Sequence, residues 1–233
     1  MNTLIPVELY AYGYHYIVLL ILLFTVLHLY ARPIDDELNI KYNTVLLPVL
    51  FVVVVLYMGT RPVSFWFGDM GLYGKHYDNI QAGAKFTNEE DILFWGFMNI
   101  CAKIMSKEMF FLILAFLYVL PIYIVSKKWG EKYALYLFLM LVSSFSFWSY
   151  GTNGLRNGFA TSVFLFAISN NKNINKIIFI IISILLHKSS ILLAIFYVPA
   201  LFIKDIKLLM KAWLFSIFLS LLSGSFFGSL FLA

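Results

Sequence analysis

The sequence predicts an all-α fold: a polytopic integral membrane protein of about seven transmembrane helices plus an outer-face amphipathic or re-entrant segment. Two observations predict it. Aliphatic, aromatic and cysteine residues make up 62% of the 233 positions and charged residues only 12%, whereas roughly a quarter of an ordinary soluble domain is charged. A soluble fold of this length could not cover so much apolar surface, so lipid is the solvent the composition demands. The second observation is that the apolar residues come in long uncharged runs, several close to the roughly 20 residues a helix needs to cross the hydrocarbon core. These runs are apolar on all sides, whereas a β-barrel strand alternates with period two. In lipid, a helix satisfies its own backbone groups. The reading is a single multi-spanning membrane domain over residues 1–233.

The elements follow in order. Leu9 to Ala31 is the first run. No basic region precedes it, Glu8 lies early, and no small-residue cleavage site follows, so it reads as a retained span rather than a cleaved signal peptide. Asn43 to Thr60 is the second run and Met109 to Ser126 the third. Tyr133 to Leu155 is the fourth, reading as loop from Ser149 onward, and Asn157 to Asn171 is a short fifth. Lys176 to Ile203 is long but interrupted by His187-Lys188-Ser189-Ser190. Each of its arms is about 15 residues, short for a full crossing, so a re-entrant hairpin or two tilted short spans fit. Ala212 to Ala233 is the last. The segment Arg61 to Asp91, with Gly68, Gly71, Gly74 and Gly83, is too apolar for a flexible linker and too interrupted for a span. Beyond it Ile92, Trp95, Phe97, Met98, Cys101 and Met105 recur at helical spacing, which predicts an amphipathic helix on the outer membrane surface.

A formal net charge of +5 sits in short loops, the pattern of membrane orientation rather than of nucleic-acid binding. Arg32 and Lys41, the cluster Lys127, Lys128 and Lys132, the pair Lys172 and Lys176, and finally Lys204, Lys207 and Lys211 all lie in the cytoplasm if the N-terminus is extracytoplasmic. Arg61 to Asp91, Ser149 to Arg156 and His187 then face outward. Cys101 is the sole cysteine, which excludes an internal disulfide.

Four outward residues stand out. Arg156, in Asn153-Gly154-Leu155-Arg156-Asn157-Gly158, opens the fifth run. Free backbone N–H groups and the helix dipole favour an anion there, and a guanidinium adds a fork suited to phosphate or carboxylate. Asn153 and Asn157 supply further hydrogen bonds, and the flanking glycines let a bulky headgroup approach the backbone. The plainer alternative is an interfacial arginine reaching lipid headgroups. His187 breaks an apolar run and suits general-base work or phosphate binding, or it is a solvated hairpin tip with Lys188 beside it. Asp69, flanked by glycine, is a turn former, a base, or a partner that orients Arg61. Arg61 itself either carries charge or only ends a helix at Pro62. No metal-ligand spacing, Walker loop or nucleophile elbow is present.

The order of these motifs resembles the EpsG family, which is similar to Wzy-type polysaccharide polymerases of bacterial capsule and exopolysaccharide loci. Arg61 is followed by Gly68-Asp69 and Tyr73, then by Asn153-Gly154-Leu155-Arg156-Asn157-Gly158-Phe159-Ala160, then by a basic loop and Leu185-Leu186-His187-Lys188-Ser189-Ser190. Asn157 stands where the family more often has Gln, and the first element is the looser match. Family members usually carry more spans, so the chain is expected to be a truncated product, a fragment or a short member. The resemblance implies glycosyl transfer at the outer face of the bacterial cytoplasmic membrane, joining polyprenyl-pyrophosphate-linked oligosaccharide units into polymer. It implies no cofactor and no metal. Arg61 and Arg156 would stabilise the lipid pyrophosphate leaving group. His187, and second to it Asp69, would be the base for the attacking hydroxyl. Tyr73, Asn153, Asn157, Lys188 and Ser189 would bind substrate. Other polysaccharide synthesis or export proteins are expected partners.

Three alternative functions compete with this one. A lipid-linked oligosaccharide flippase or transporter should show a charged central cavity and repeated halves, and the sequence displays neither. A membrane acyltransferase should present its histidine to the cytoplasm. A noncatalytic subunit of a synthesis complex would suit the short length.

Overall fold

The computed structural model describes residues 5–84, 90–203 and 205–231, with side chains as far as 219. Every regular element in these residues is helical: α1 (Leu9–Ala31), α2 (Glu37–Gly59), α3 (Asp69–Gln81), α4 (Ile92–Ile104), α5 (Lys107–Gly130), α6 (Ala134–Val142), α7 (Phe145–Thr152), α8 (Leu155–Ser169), α9 (Asn173–Leu186), α10 (Ser190–Phe202) and α11 (Ile206–Phe231). Met1–Ser190 forms one compact unit and Ile191–Ala233 a second. All the sequence-predicted site residues belong to the first. Lys204 and the last two residues of the expected Ala212–Ala233 run lie outside the described residues.

Three stretches among the described residues have the length and apolar composition of a membrane crossing: Leu9–Ala31, Glu37–Gly59 and Lys107–Val142. The last contains the turn Glu131–Tyr133, where Glu131 takes a positive φ of 47°, so α5 is its crossing portion. Among the described residues these three are the ones long and apolar enough to cross, and the expected count of about seven spans is not confirmed. The α8 and α9 helices have 15 and 14 residues, which at 1.5 Å per residue is about 22 Å, short of a core of about 30 Å. The Lys176–Ile203 run divides at His187 into α9 and α10.

The fourth apolar run, expected as one span, is two short helices broken at Ser143-Ser144. Hydropathy cannot see this break, because both halves are equally greasy. What permits it is local satisfaction of backbone carbonyls, which lipid would leave unpaired. Ser143 and Ser144 donate their hydroxyls to the Met140 and Leu141 carbonyls. Tyr14 of α1 donates to the Val142 carbonyl at 2.6 Å and Tyr118 of α5 to the Phe147 carbonyl at 3.0 Å. Both phenols are buried. The chain thus turns within the bundle at little cost in unsatisfied polar groups.

Other helix limits differ from the sequence reading for a simple reason. The α2 helix begins at Glu37, its N-terminus capped by the Asp36 carboxylate on the Leu38 N–H. Its first turns are polar, and a search for uncharged runs misses them. Two elements in the Arg61–Asp91 segment were not expected at all: a 3-10 turn at Phe65–Phe67 and the helix α3. Residues 85–89 of that segment lie outside the described residues. The α4 helix is present as expected, but it turns Phe94, Trp95, Met98, Cys101 and Ala102 into the core of the unit.

Cross-links sort the first unit into two ends. At one end Lys132, just past α5, pairs with Asp35 of the α1–α2 turn at 2.6 Å, and Tyr133 donates to the same carboxylate. These two bonds, Lys132 first, hold the Asp35 carboxyl below its ordinary pKa. Arg32, Lys41, Lys127 and Lys128 lie toward this basic end. At the other end Tyr57 donates to the Tyr10 carbonyl, and Lys107 at the start of α5 pairs with Asp78 of α3. This second end carries Arg61, Asp69, Arg156 and His187.

Removing the Tyr14 phenol should leave the Val142 carbonyl at the break unsatisfied, and removing the Tyr118 phenol should lose a buried bond to α7. Tyr14→Phe and Tyr118→Phe are each expected to lower unfolding stability by about 1–2 kcal/mol, read as thermal denaturation of the purified chain in nanodiscs. Tyr57→Phe, at a less buried site, should cost less.

Candidate functional site

The α8 helix begins after Gly154 without a side-chain cap, which leaves its first N–H groups to other partners. Arg156 sits in the first turn. Its Nε donates to the Tyr73 hydroxyl at 2.8 Å and its Nη1 to Asp91 Oδ2 at 2.6 Å. The guanidinium also lies over the rings of Tyr73 and Trp95, at 5.6 and 5.4 Å from their centroids. The short arms α8 and α9 lie side by side, tied by Ser183, which donates to the Ala160 carbonyl at 2.7 Å. Consequently the end of α9 returns to the start of α8, and His187 arrives beside Arg156.

Asp91 organises this meeting. It precedes α4, with φ 53° and ψ 45° in the left-handed region, where aspartate is tolerated better than most residues. An aspartate at this position usually caps its own helix. Here the carboxylate turns away and serves the other two elements. Its Oδ2 accepts from Arg156 and meets His187 Nδ1 at 2.9 Å, while its Oδ1 accepts the Lys188 N–H at 2.9 Å. The Asp91 side chain is 1% exposed, against 26% for Arg156 and 20% for His187. A buried carboxylate requires such compensation, since an unpaired one would cost several kcal/mol.

The geometry also settles which atoms are left over. With Nδ1–H given to Asp91, the neutral His187 ring keeps Nε2 as an acceptor. The Nη2 of Arg156 has no partner among the described residues. Both groups are partly exposed, so the cluster presents one basic nitrogen and one guanidinium N–H pair held by a common carboxylate. Asn157 extends it: its Oδ1 accepts from Ser189 and from Thr161, each at 3.3 Å. Lys188 reaches outward to Glu90 at 2.6 Å, with both side chains exposed.

The remaining predicted residues form a neighbouring group. Arg61 is 4% exposed. Its Nη1 donates to the Met58 carbonyl and its Nη2 to the Gly151 carbonyl at 2.8 Å. Met58 would ordinarily bond the residue four places on, which is Pro62 and has no N–H. Arg61 therefore clips together the C-terminal ends of α2 and α7, where the helix dipoles favour a cation. Burial pushes its pKa down to about 9, which keeps it cationic at neutral pH. Asp69 is exposed at the start of α3, and its backbone N–H donates to Asn153 Oδ1 at 2.8 Å. Gly68 just before it has φ 60°, and a Cβ there would fall 2.3 Å from Asn153 Oδ1. Asp69 and Tyr73 stand four apart and so share a face of α3. The glycines around Arg156 serve packing: a Cβ on Gly158 would meet the Tyr150 carbonyl at 2.6 Å. Among the described residues, no group of three or more His, Cys, Asp or Glu is placed to hold a metal ion.

Asp91 escaped the sequence reading. It closes the acidic run Glu89-Glu90-Asp91 before an amphipathic helix, which reads as an ordinary solvated helix start. Its partners lie 65 and 96 residues away. Ser190, whose buried hydroxyl has no hydrogen-bond partner among the described residues, likewise carries no sequence signal.

The fold and this cluster define a polytopic membrane protein with a polar site at one end of a broken-helix bundle. The chain belongs to the EpsG family, whose family model matches residues 44–233, a span that includes every residue of the cluster. That membership makes it a membrane protein associated with polysaccharide biosynthesis. Neither the curated proteins nor the solved structures give a match.

Removing the central carboxylate should expose its importance. Asp91→Ala is expected to cost about 3 kcal/mol, because it strands a half-buried arginine. Asp91→Asn, which still accepts the Lys188 N–H, should cost less. Arg61→Ala should cost about 2 kcal/mol through two uncapped carbonyls. Chemical denaturation in detergent micelles checks all three.

Proposed function

We propose that the chain polymerises polyprenyl-pyrophosphate-linked oligosaccharide units into capsular or exopolysaccharide, with the Asp91 cluster facing the outside of the bacterial cytoplasmic membrane. The observation that carries this reading is that Arg156 and His187 share one buried carboxylate and each keeps one polar group unspent. A phosphate-binding cation and a base are what such a transfer needs.

In the proposed step, the bond from the donor sugar's anomeric carbon to the pyrophosphate oxygen breaks. A bond forms from that carbon to an acceptor hydroxyl oxygen, and the hydroxyl proton passes to His187 Nε2. The lipid pyrophosphate departs with its negative charge against Arg156 Nη2 and the uncapped N–H groups of α8. Asp91 is the positioning residue. It fixes the His187 tautomer and stabilises the imidazolium as it forms, in the manner of the aspartate of a catalytic triad. Tyr73 aims the guanidinium by accepting from Nε. Asn157 and Ser189 line the same corner, and Lys188 offers a further cation to phosphate. Asp69, exposed and on the Tyr73 face of α3, suits a hydrogen bond to a sugar hydroxyl, with Asn153 ordering the loop that carries it. Arg61, buried between two helix ends, supports the site by holding α7 and α2 in register.

Separation of charge supports the orientation. Within the first unit, the loops that carry Arg32, Lys127, Lys128 and Lys132 lie at the end away from the cluster, and the bias of Lys and Arg toward the cytoplasm favours that end as the inner one.

The test is the length of the surface polysaccharide. His187→Ala should cut polymer formation by about 10²–10⁴-fold and leave single repeat units. Arg156→Lys should be nearly as damaging as Arg156→Ala, because a point charge cannot serve Asp91, Tyr73 and a phosphate at once. Lipid-linked units trapped inside the cell would instead favour a flippase. Unchanged long polymer in both variants would contradict the proposal.

A further inference from the structure

The Arg156 guanidinium is only partly spent. Its Nη1 donates to Asp91 Oδ2 at 2.6 Å and its Nε to the Tyr73 hydroxyl at 2.8 Å. In a guanidinium, Nε–H and the nearer N–H of Nη2 point the same way and form a side-on fork. One prong of that fork already holds the Tyr73 oxygen. The other, on Nη2, has no partner among the described residues, and the Arg156 side chain is 26% exposed.

A fork makes parallel bonds. An anionic oxygen seated on Nη2 therefore comes to rest beside the Tyr73 oxygen, at about the 2.5–2.7 Å of an O–H···O⁻ contact. Two oxygens that close repel unless a proton lies between them, and Tyr73 has one to give. Its oxygen accepts from Arg156 Nε, and its hydroxyl hydrogen has no acceptor among the described residues. Asp69 and Asp91 are near enough to act on the phenol electrostatically, yet neither takes that hydrogen: no bond joins them to the hydroxyl. Burial above all pushes the Tyr73 pKa up, so the group stays a neutral donor at neutral pH. The ring is also held in place. It is 4% exposed and packs against Phe94 and Trp95, with centroids 5.6 and 6.0 Å away.

We infer that the Tyr73 hydroxyl is a further donor to the phosphate of a prenyl pyrophosphate, so that one phosphate oxygen accepts from Arg156 Nη2 and from Tyr73 together. The inference rests on the phosphate role proposed for Arg156 and adds a second substrate contact to it. Tyr73 lends a hydrogen bond to the departing group and keeps its proton.

The experiment titrates farnesyl pyrophosphate into the full chain in nanodiscs at pH 7, read by calorimetry. Arg156→Ala should abolish binding. Tyr73→Phe keeps the ring and its packing and should weaken binding about 10-fold, the size of one hydrogen bond to a charged group. That variant also removes the acceptor for Arg156 Nε, so a second one separates the two roles. 3-Fluorotyrosine in place of Tyr73 is a stronger donor and a weaker acceptor. It should tighten binding by roughly 2-fold, since donor strength follows acidity, whereas a residue that only aims the guanidinium would bind the ligand more weakly after this change. Undiminished binding by Tyr73→Phe, or equal or weaker binding with 3-fluorotyrosine, would overturn the inference and leave Arg156 as proposed. No binding by the unaltered chain, or undiminished binding by Arg156→Ala, would overturn the phosphate role of Arg156 and this inference with it.

Discussion

The structure turns on one buried carboxylate serving a guanidinium and an imidazole from two other elements. Asp91 gives up the usual duty of capping α4, accepts a left-handed backbone, and places both oxygens on Arg156, His187 and the Lys188 N–H. In a chain with few charges and much lipid contact, a carboxylate with a side chain 1% exposed is tolerated only where its charge is matched. That need fixes where the start of α8 and the end of α9 stand relative to α4. The short length of α8 and α9 is part of the same constraint, since a pair of longer arms would carry Arg156 and His187 elsewhere.

The same economy governs the breaks in the helices. Lipid offers no hydrogen bonds, so each carbonyl released by a break needs a protein donor. Tyr14, Ser143 and Ser144 meet this need between α6 and α7, and Arg61 meets it at the ends of α7 and α2. Polar residues in the first unit thus fall into two kinds. One kind is spent on backbone groups and holds the scaffold. The other, Arg156 and His187, is held by a side chain and retains unpaired donor or acceptor capacity. Arg61 and Arg156, similar in sequence prominence, separate by what holds them and by exposure: Arg61 is 4% exposed, with its Nη atoms on backbone carbonyls and its Nε unpaired among the described residues, whereas the Arg156 side chain is 26% exposed and held by side chains.

Much of the scaffold was legible in the sequence. The runs Leu9–Ala31 and Met109–Ser126 became α1 and the body of α5, and the interruption at His187 marked the α9–α10 junction. These features depend on hydropathy, which is local. What was not legible depends on long-range hydrogen bonds. The break at Ser143-Ser144 is satisfied in part by a phenol on α1, and α3 is anchored by the contact of the Asp69 N–H with Asn153. Of the site, Arg156, His187, Tyr73, Asn157 and Ser189 were visible as motif residues. Asp91 was not, because an acidic residue before a helix has an ordinary local explanation and its partners are far away in the chain. A buried charge announces itself only once the fold is known.

The most direct measurement of this account is proximity between the start of α8 and the end of α9 in the native membrane. Asn157 and Ser189 side chains meet at 3.3 Å. With Cys101 replaced by alanine, cysteines at 157 and 189 should be linked by a short thiol-specific bridging reagent in intact membranes, and both should be labelled from the same face. Free cysteines that react singly, never bridge, and label from opposite faces would contradict the convergence on which the site rests.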